Sequence, residues 1–157
     1  MAASQGEKAM KLENKVAIIT GVGPTIGRAV ALGFAGEGAR VACNHRGPEA
    51  AERTVKLIRE AGGEAMAIPN DVTDEAGVEA SVQRVLDEWG HVDVLVNNAA
   101  QINPKGVLDM SFGEFREQTA SIIDGTFLWT KYVAKSMVDR GVRGSIINVV
   151  TCAAWQG

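Results

Sequence analysis

Residues 16–46 read VAIITGVGPTIGRAVALGFAGEGARVACNHR, and this stretch decides the fold of the 157-residue chain. It opens on a short apolar run, Val16 to Thr20, of the kind that forms a strand buried on both faces of a sheet. Glycines interrupt the run, and apolar residues then recur at helical spacing up to Gly36. A second apolar run, Arg40 to Asn44, completes a predicted strand–turn–helix–strand unit.

The turn inside this unit, residues 20–27, reads TGVGPTIG. Glycines let the backbone turn tightly, and they let phosphates approach main-chain N–H groups at the positive end of the helix. An ordinary tight turn is the alternative, but a turn between a buried strand and an amphipathic helix favours a site for a dinucleotide's pyrophosphate. The candidate residues are Gly21, Gly23, Thr25, Ile26 and Gly27.

Strands and helices alternate along the rest of the chain. Further strands are predicted at residues 65–68, 92–96 and 145–150, and further helices at 48–61, 74–89 and 111–140. Connections of this length are right-handed crossovers, so the sheet is expected to be parallel with helices on both faces. The sequence therefore predicts an α/β fold, a doubly wound Rossmann-type sheet of five strands in the order 3-2-1-4-5. Pro69 puts the third strand at an edge.

Local signals mark two of the later helices. Thr73 is the predicted N-cap of the third helix, and Ser111 with Glu114 forms a predicted capping box for the long fourth helix. Gly125 lies inside that fourth helix, where a glycine costs ~1 kcal/mol. This cost indicates that Gly125 has a close-packing role.

With these elements in place, the chain resembles the short-chain dehydrogenase/reductase family over nearly its whole length. The family's turn has the form T-G-x-x-x-G-x-G, which Thr20, Gly21 and Gly27 match, whereas Thr25 replaces the middle glycine. The stretch NNAA at residues 97–100 is similar to the family's N-N-A-G. The resemblance implies an NAD(P)-dependent oxidoreductase that interconverts an alcohol and a carbonyl by hydride transfer.

The resemblance also implies which residues contact the adenosine half of the cofactor. Asp71 and Val72, just after the third strand, look like the family's adenine contacts, with the carboxylate accepting from the exocyclic amine. Asn98 would support the sheet and line the adenosine ribose, and Ala99 beside it belongs to the same expected cofactor site.

The end of the second strand bears on which nicotinamide cofactor is used. An acidic residue about twenty positions past the turn would bind the ribose 2′-hydroxyl of NAD, whereas a nearby Arg suits the 2′-phosphate of NADP. His45 occupies the carboxylate position and Arg46 follows it. Because a guanidinium pairs with phosphate in a bidentate manner, the sequence favours NADP, with NAD possible. The alternative is that Arg46 is a solvated loop residue.

The family's catalytic residues are Ser, Tyr and Lys, assisted by an Asn, and this chain departs from them. The Ser position matches Thr151, which keeps a hydroxyl and is the one candidate catalytic residue. The Asn position matches Ile122, which cannot form a hydrogen bond through its side chain. The Tyr and Lys are expected after Gly157. Tyr132 and Lys135 have i, i+3 spacing and are predicted to be an ordinary helix face.

Composition narrows the function classes further. The net charge of −3 and the lack of a basic run argue against nucleic acid, and no apolar stretch is long enough to cross a bilayer. Residues 1–10 are expected to be a disordered arm without signal-peptide character, and residues 11–157 an NAD(P)-binding Rossmann domain, incomplete at its C-terminal end, in the cytoplasm. Cys43 and Cys152 are interpreted as buried small apolar residues, and no metal site is expected.

The fifth strand, residues 145–150, is apolar and has no predicted neighbour on its outer side. The chain is therefore expected to be a truncated product or fragment of a longer enzyme that acts on a small-molecule alcohol or carbonyl, with a homo-oligomer plausible for the parent. A non-catalytic dinucleotide-binding or interaction module is the alternative, consistent with Ile122 and Thr151. A third possibility, a protein using a methyl donor, is disfavoured by the turn together with Asp71, Val72 and the NNA stretch.

Overall fold

The computed structural model describes residues 9–151, so Cys152 and most of the expected N-terminal arm lie outside the described range. One parallel sheet has the order β3-β2-β1-β4-β5, which confirms the predicted topology. Its strands are β1 (Val16–Ile19), β2 (Arg40–Cys43), β3 (Ala65–Ala67), β4 (Val94–Asn97) and β5 (Ser145–Asn148). The helices are α1 (Ile26–Gly36), α2 (Pro48–Glu60), α3 (Glu75–Trp89), α4 (Phe112–Thr119) and α5 (Gly125–Arg140), with a π-helical turn (Ala120–Asp124) between α4 and α5.

The central strand β1 is buried on both faces, as its apolar run predicts. Val16 and Ile18 pack in a core layer with apolar residues of α3 and α5. Ala17 and Ile19 point to the opposite layer, which they share with residues of α1 and α2. Successive side chains of a strand point to opposite faces, so a strand covered on both sides requires an unbroken apolar run.

The structure differs from the predicted cap of α3. Asp74 occupies the N-cap position without a side-chain capping bond, and α3 begins at Glu75. The Thr73 hydroxyl instead donates to Asp71 Oδ1 over 2.7 Å, and the Thr73 N–H donates to the same oxygen over 3.0 Å. The prediction for Thr73 is wrong because Asp71 closes a local turn that takes up the Thr73 side chain.

The long fourth helix is confirmed at its start and differs in its middle. Ser111 Oγ accepts from the Glu114 N–H, and Glu114 Oε2 accepts from the Ser111 N–H, so the capping box is present. A π-helical turn at residues 120–124 then divides the helix. A Cβ on Gly125 would lie 2.7 Å from Val72 Cγ2, which confirms the close-packing role of this glycine.

The two edge strands of the sheet, β3 and β5, differ in how far other residues cover them. At the β3 edge, the Arg59 guanidinium donates to the Ala65 carbonyl through Nη2 over 2.7 Å and through Nε over 3.1 Å, which covers part of the open strand. Among the described residues, β5 pairs with β4 alone, and Ile147 in β5 and Val149 just after it are 44% and 42% exposed. The apolar open edge expected from the sequence is therefore present in residues 9–151.

Asp93 joins three strands at the end of the sheet opposite the glycine turn. Its carboxylate accepts from the Val16 N–H over 2.9 Å, from Lys15 Nζ over 3.0 Å, and lies 3.0 Å from His91 Nε2. Its backbone carbonyl accepts from the Ser145 N–H over 2.8 Å. Burial raises the pKa of Asp93, but the hydrogen bonds from Val16 and Lys15 and the nearby His91 outweigh it and hold the pKa below its usual value.

In residues 9–151, no helix is both long and apolar enough to cross a membrane.

Candidate functional site

The glycine turn joins the carboxyl end of β1 to α1, beside the ends of β2 and β4. Gly21 has φ +70°, and a Cβ added there would lie 2.7 Å from Ala99 Cα. A Cβ on Gly27 would lie 2.2 Å from the Gly21 carbonyl oxygen and 2.7 Å from Asn98 Nδ2. Only glycine at position 27 therefore lets the first turn of α1 approach the end of β1 this closely.

The N-terminus of α1 has the electrostatic character of an anion site. Thr25 is its N-cap residue but makes no side-chain capping bond. The first turn of α1 contains no acidic residue, whereas those of α2, α3 and α4 contain Glu49, Glu75 and Glu114. The positive end of α1 is thus left without a carboxylate of its own helix, in contrast to α2, α3 and α4; α5 also lacks one, but it continues from the π-helical turn and has no free N-terminal end.

This end of α1 fits the phosphate groups of a dinucleotide. The main-chain N–H groups at the start of a helix have no partner within the helix, and the glycines bring the backbone of β1 and α1 together around them. Thr25 and Ile26 are exposed there, and Gly23 is buried against the ring of His45.

The Thr20 hydroxyl organises the contact between β1 and the segment that follows β4. Thr20 is buried, and its Oγ1 accepts from the N–H groups of Asn98 and Ala99, both over 3.0 Å. In return, Asn98 Nδ2 donates to the Thr20 and Gly21 carbonyls over 3.0 and 3.1 Å. Asn98 and Ala99 are therefore brought to the glycine turn by reciprocal bonds.

Thr20→Val should lower the free energy of unfolding by about 2 kcal/mol, because valine keeps the shape of the side chain and leaves two N–H groups without their acceptor. Thr20→Ser retains the hydroxyl and should cost less than about 1 kcal/mol for one lost methyl. Urea unfolding of both variants measures the difference. Equal losses would mean that packing, and not the hydroxyl, holds this contact.

Beyond the carboxyl ends of β2 and β3, the structure brings Arg46 and Asp71 together. Arg46 Nη1 lies 4.0 Å from Asp71 Oδ2 and 3.5 Å from Gln101 Oε1, and the Arg46 side chain is 72% exposed. Hydrogen bonds from Thr73 and the charge of Arg46 outweigh desolvation and hold the pKa of Asp71 below its usual range. The Asp71 carboxylate is therefore ionised and faces a cation.

Val72 was predicted with Asp71 as an adenine contact, but its side chain does not face the same surroundings. Its side chain is buried and packs where Gly125 has no Cβ. A ligand at this end of the sheet would therefore meet chiefly the main chain of Val72.

A hydrogen-bond network of Asn44, Asn70 and Ser81 lies at the carboxyl ends of β2 and β3, and the sequence analysis did not predict it. Asn44 is fully buried, and its Nδ2 donates to the Ile68 carbonyl, the Asn70 carbonyl and Asn70 Oδ1 over 3.1, 3.2 and 2.6 Å. Ser81 Oγ also donates to Asn70 Oδ1. Asn44 thus ties β2 to the segment that carries Asp71. The available signal was an amide at the end of an otherwise apolar strand.

The positions that match the family's catalytic residues lie at the surface of the described residues. Thr151 is the last described residue and is exposed. Ile122 lies in the π-helical turn and is 42% exposed. The Tyr132 hydroxyl donates to Glu75 Oε1 and Lys135 Nζ donates to Asp139, which agrees with the ordinary helix face predicted for these two residues.

No group of three or more His, Cys, Asp and Glu side chains capable of holding a metal occurs within the described range. Cys43 is buried as predicted, and burial raises the pKa of its thiol to about 12. A thiol with this pKa stays protonated and is a poor nucleophile.

Comparisons with known proteins agree with this geometry. A family model described as short chain dehydrogenase matches residues 15–157. A sorbitol dehydrogenase of Cereibacter sphaeroides is 38% identical over 148 residues, which cover 94% of this chain and 57% of that protein. An uncharacterized oxidoreductase of Thermotoga maritima is 35% identical over 92% of this chain and 56% of its own length.

Solved structures give the same result. A hydroxysteroid dehydrogenase of Escherichia coli has a TM-score of 0.82 at 35% identity, over 89% of this chain and 59% of that one. A short-chain type dehydrogenase/reductase of Mycobacterium marinum has a TM-score of 0.89 at 33% identity, over 94% and 60%. The chain spans little more than half the length of these relatives.

Proposed function

Because the chain belongs to the short-chain dehydrogenase family, we propose that it carries the cofactor-binding part of an NAD(P)-dependent oxidoreductase that interconverts an alcohol and a carbonyl. The observation that carries this proposal is the N-terminus of α1, which follows a glycine turn and lacks the acidic first-turn residue of α2, α3 and α4. A dinucleotide's pyrophosphate supplies the negative charge that this helix end lacks.

Each proposed contact uses a group described above. The N–H groups at the start of α1 bind the pyrophosphate, and the ionised Asp71 accepts from the exocyclic amine of adenine. Asn98 and Ala99 line the adenosine ribose where Thr20 holds them. When bound, the nicotinamide ring supplies the hydride donor or acceptor. Thr151 is the chain's candidate for orienting the alcohol or carbonyl through its hydroxyl.

Isothermal titration of the 157-residue chain with NADP, NAD and S-adenosylmethionine tests this proposal. Saturable binding of either nicotinamide dinucleotide, with none of the methyl donor, supports it. Binding of S-adenosylmethionine alone would refute it, because the site would then serve a different class of cofactor.

We further propose that NADP is the preferred cofactor, because Arg46 supplies an exposed guanidinium next to His45, the position at which NAD-binding proteins carry a carboxylate. Arg46→Ala should weaken NADP binding about tenfold and leave NAD binding within about twofold, since only NADP presents a phosphate there. Titration calorimetry of both dinucleotides measures the two ratios.

Arg53→Ala is the matched control, because Arg53 is an exposed arginine of neighbouring α2 and its loss changes the net charge equally. It should leave both affinities unchanged. If Arg46→Ala weakens NAD as strongly as NADP, Arg46 contributes to binding in general and the NADP preference is wrong.

A second candidate function is a dinucleotide-binding module without catalysis. Ile122 favours it, because an apolar side chain stands in the π-helical turn where the family's pattern has an Asn. An assay of NADPH oxidation with a panel of carbonyl compounds tests the module directly. Turnover by the chain would exclude the module.

A further inference from the structure

The Asp71 carboxylate uses its two oxygens for different contacts. Oδ1 accepts from the Thr73 N–H over 3.0 Å and from the Thr73 hydroxyl over 2.7 Å. These two bonds close a turn in the segment between β3 and α3, and they restrict the orientation of the carboxylate. Oδ2 makes neither bond and lies 4.0 Å from Arg46 Nη1. One oxygen is therefore anchored by Thr73, and the other faces the guanidinium.

The Arg46 guanidinium contacts two segments besides its own. Asp71 follows β3, and Gln101, whose Oε1 lies 3.5 Å from Arg46 Nη1, follows β4. The carboxyl ends of these parallel strands meet at the same edge of the sheet, which is the edge proposed to bind the cofactor. The Arg46 side chain is 72% exposed, so it can leave both partners without a movement of the main chain.

The two members of this ion pair have different proposed contacts with a dinucleotide. The adenine amine that Asp71 would accept from is present in NAD and NADP alike, whereas only NADP carries the 2′-phosphate that Arg46 would bind. An ionised carboxylate beside the guanidinium lowers the positive potential there and competes with the phosphate for it. The 2′-hydroxyl of NAD carries no charge, so this competition does not affect NAD.

We propose that Asp71, through its ion pair with Arg46, limits the preference for NADP over NAD and is a specificity-determining residue of this site. The inference rests on the proposed cofactor-binding function and concerns the selectivity of that site. In the free protein the guanidinium lies beside Asp71 and Gln101. The 2′-phosphate of NADP has to draw the guanidinium away from the carboxylate, and this cost lowers the affinity for NADP relative to NAD.

Asp71→Asn removes the charge and retains an oxygen that can accept from Thr73, so the turn is preserved. Titration calorimetry of this variant with NADP and NAD tests the inference. Both dinucleotides lose the same carboxylate contact with adenine, so a general loss of affinity cancels from the ratio of the two affinities. The ratio of NADP affinity to NAD affinity should rise about threefold, the size of effect expected of an exposed ion pair.

Two further measurements show whether Asp71 acts through Arg46. In the Arg46→Ala background, Asp71→Asn should raise the ratio by less than about 1.5-fold, because the guanidinium that the carboxylate holds is already absent. In the background with Arg46 present, the threefold rise should shrink when NaCl is raised from about 0.05 M to about 0.5 M, since both side chains are exposed enough to be screened.

Asp74→Asn is the matched control, because Asp74 is an exposed residue of the same segment and the substitution removes the same charge. It should leave the ratio unchanged. An unchanged or lower ratio in Asp71→Asn, or an equal rise in Asp74→Asn or in the Arg46→Ala background, would overturn the inference while leaving cofactor binding intact. Failure of the wild-type chain to bind either dinucleotide would instead overturn the proposed function on which it rests.

Discussion

Gly27→Ala is expected to weaken NADP binding by roughly 100-fold and to lower the free energy of unfolding by about 3 kcal/mol. The added Cβ would lie 2.2 Å from the Gly21 carbonyl oxygen and 2.7 Å from Asn98 Nδ2. The first of these is main chain, so α1 must move away from β1. That movement displaces the helix N–H groups from the turn and breaks the bonds that Asn98 makes to it.

Gly33→Ala in the same helix is the matched control. A Cβ on Gly33 meets no heavy atom within 4 Å, and the residue is exposed in the interior of α1. Alanine there should raise the free energy of unfolding by about 0.5–1 kcal/mol through its better helix propensity, and leave NADP binding unchanged. Calorimetric titration and urea unfolding of both variants give the comparison. Wild-type affinity in Gly27→Ala would show that the cofactor does not depend on this contact.

Asp93→Ala should lower the free energy of unfolding by about 3 kcal/mol without changing the affinity for NADP. The substitution leaves the buried Val16 N–H without its acceptor and removes the carboxylate shared by Lys15 and His91. Because Asp93 lies at the end of the sheet opposite the glycine turn, the cofactor site should be unaffected in the fraction that folds. Urea unfolding at neutral pH measures the loss.

Asp93→Asn separates the charge of this side chain from its hydrogen bonds. It retains an oxygen for the Val16 N–H and should lose about half as much stability as the alanine variant. The folded-state pKa of Asp93 lies below its usual value of 3.8, so its charge stabilises the fold above that pH, and the contribution is lost as pH falls through the lowered pKa. The acid-induced loss of stability below about pH 4 should therefore be shallower in Asp93→Asn. An unchanged acid profile would contradict this role.

The topology was predictable because each of its signals is local in the sequence. The apolar run of β1 indicates that both faces of the strand are covered, and the glycines after it indicate where the chain turns into α1. Pro69 predicted that β3 is an edge strand. Gly125 within the predicted helix indicated a close contact, and the structure shows that its partner is Val72.

The features that sequence reasoning missed depend on contacts that no sequence motif marks. Thr73 looks like a helix cap until Asp71 is seen to hold its hydroxyl. Asn44 has no motif, because its carbonyl acceptors at Ile68 and Asn70 come together only when β2 and β3 pair. The π-helical turn interrupts a helix that the sequence predicts to be continuous. The sequence marks this place only by Gly125, which directly follows the turn.

The candidate cofactor site likewise contains features that motifs predict and contacts that only the structure shows. Family motifs suffice to nominate Gly21, Gly27 and Asn98. The two glycines let main-chain segments approach closely, and the Asn98 side chain donates to the Gly21 carbonyl. The sequence also nominates Arg46 and His45, but only the structure shows that Arg46 lies beside Asp71 and that the His45 ring contacts the main chain of Gly47.

Backbone amide NMR of the 157-residue chain, recorded while NADP is added, tests the central claim most directly. We expect the largest shifts on the amides of residues 21–23 and 25–28, where the glycine turn meets α1, with further shifts at His45, Arg46, Asp71 and Asn98. Saturating addition of NADP that leaves residues 21–28 unmoved, or that shifts only amides elsewhere in the chain, would contradict it.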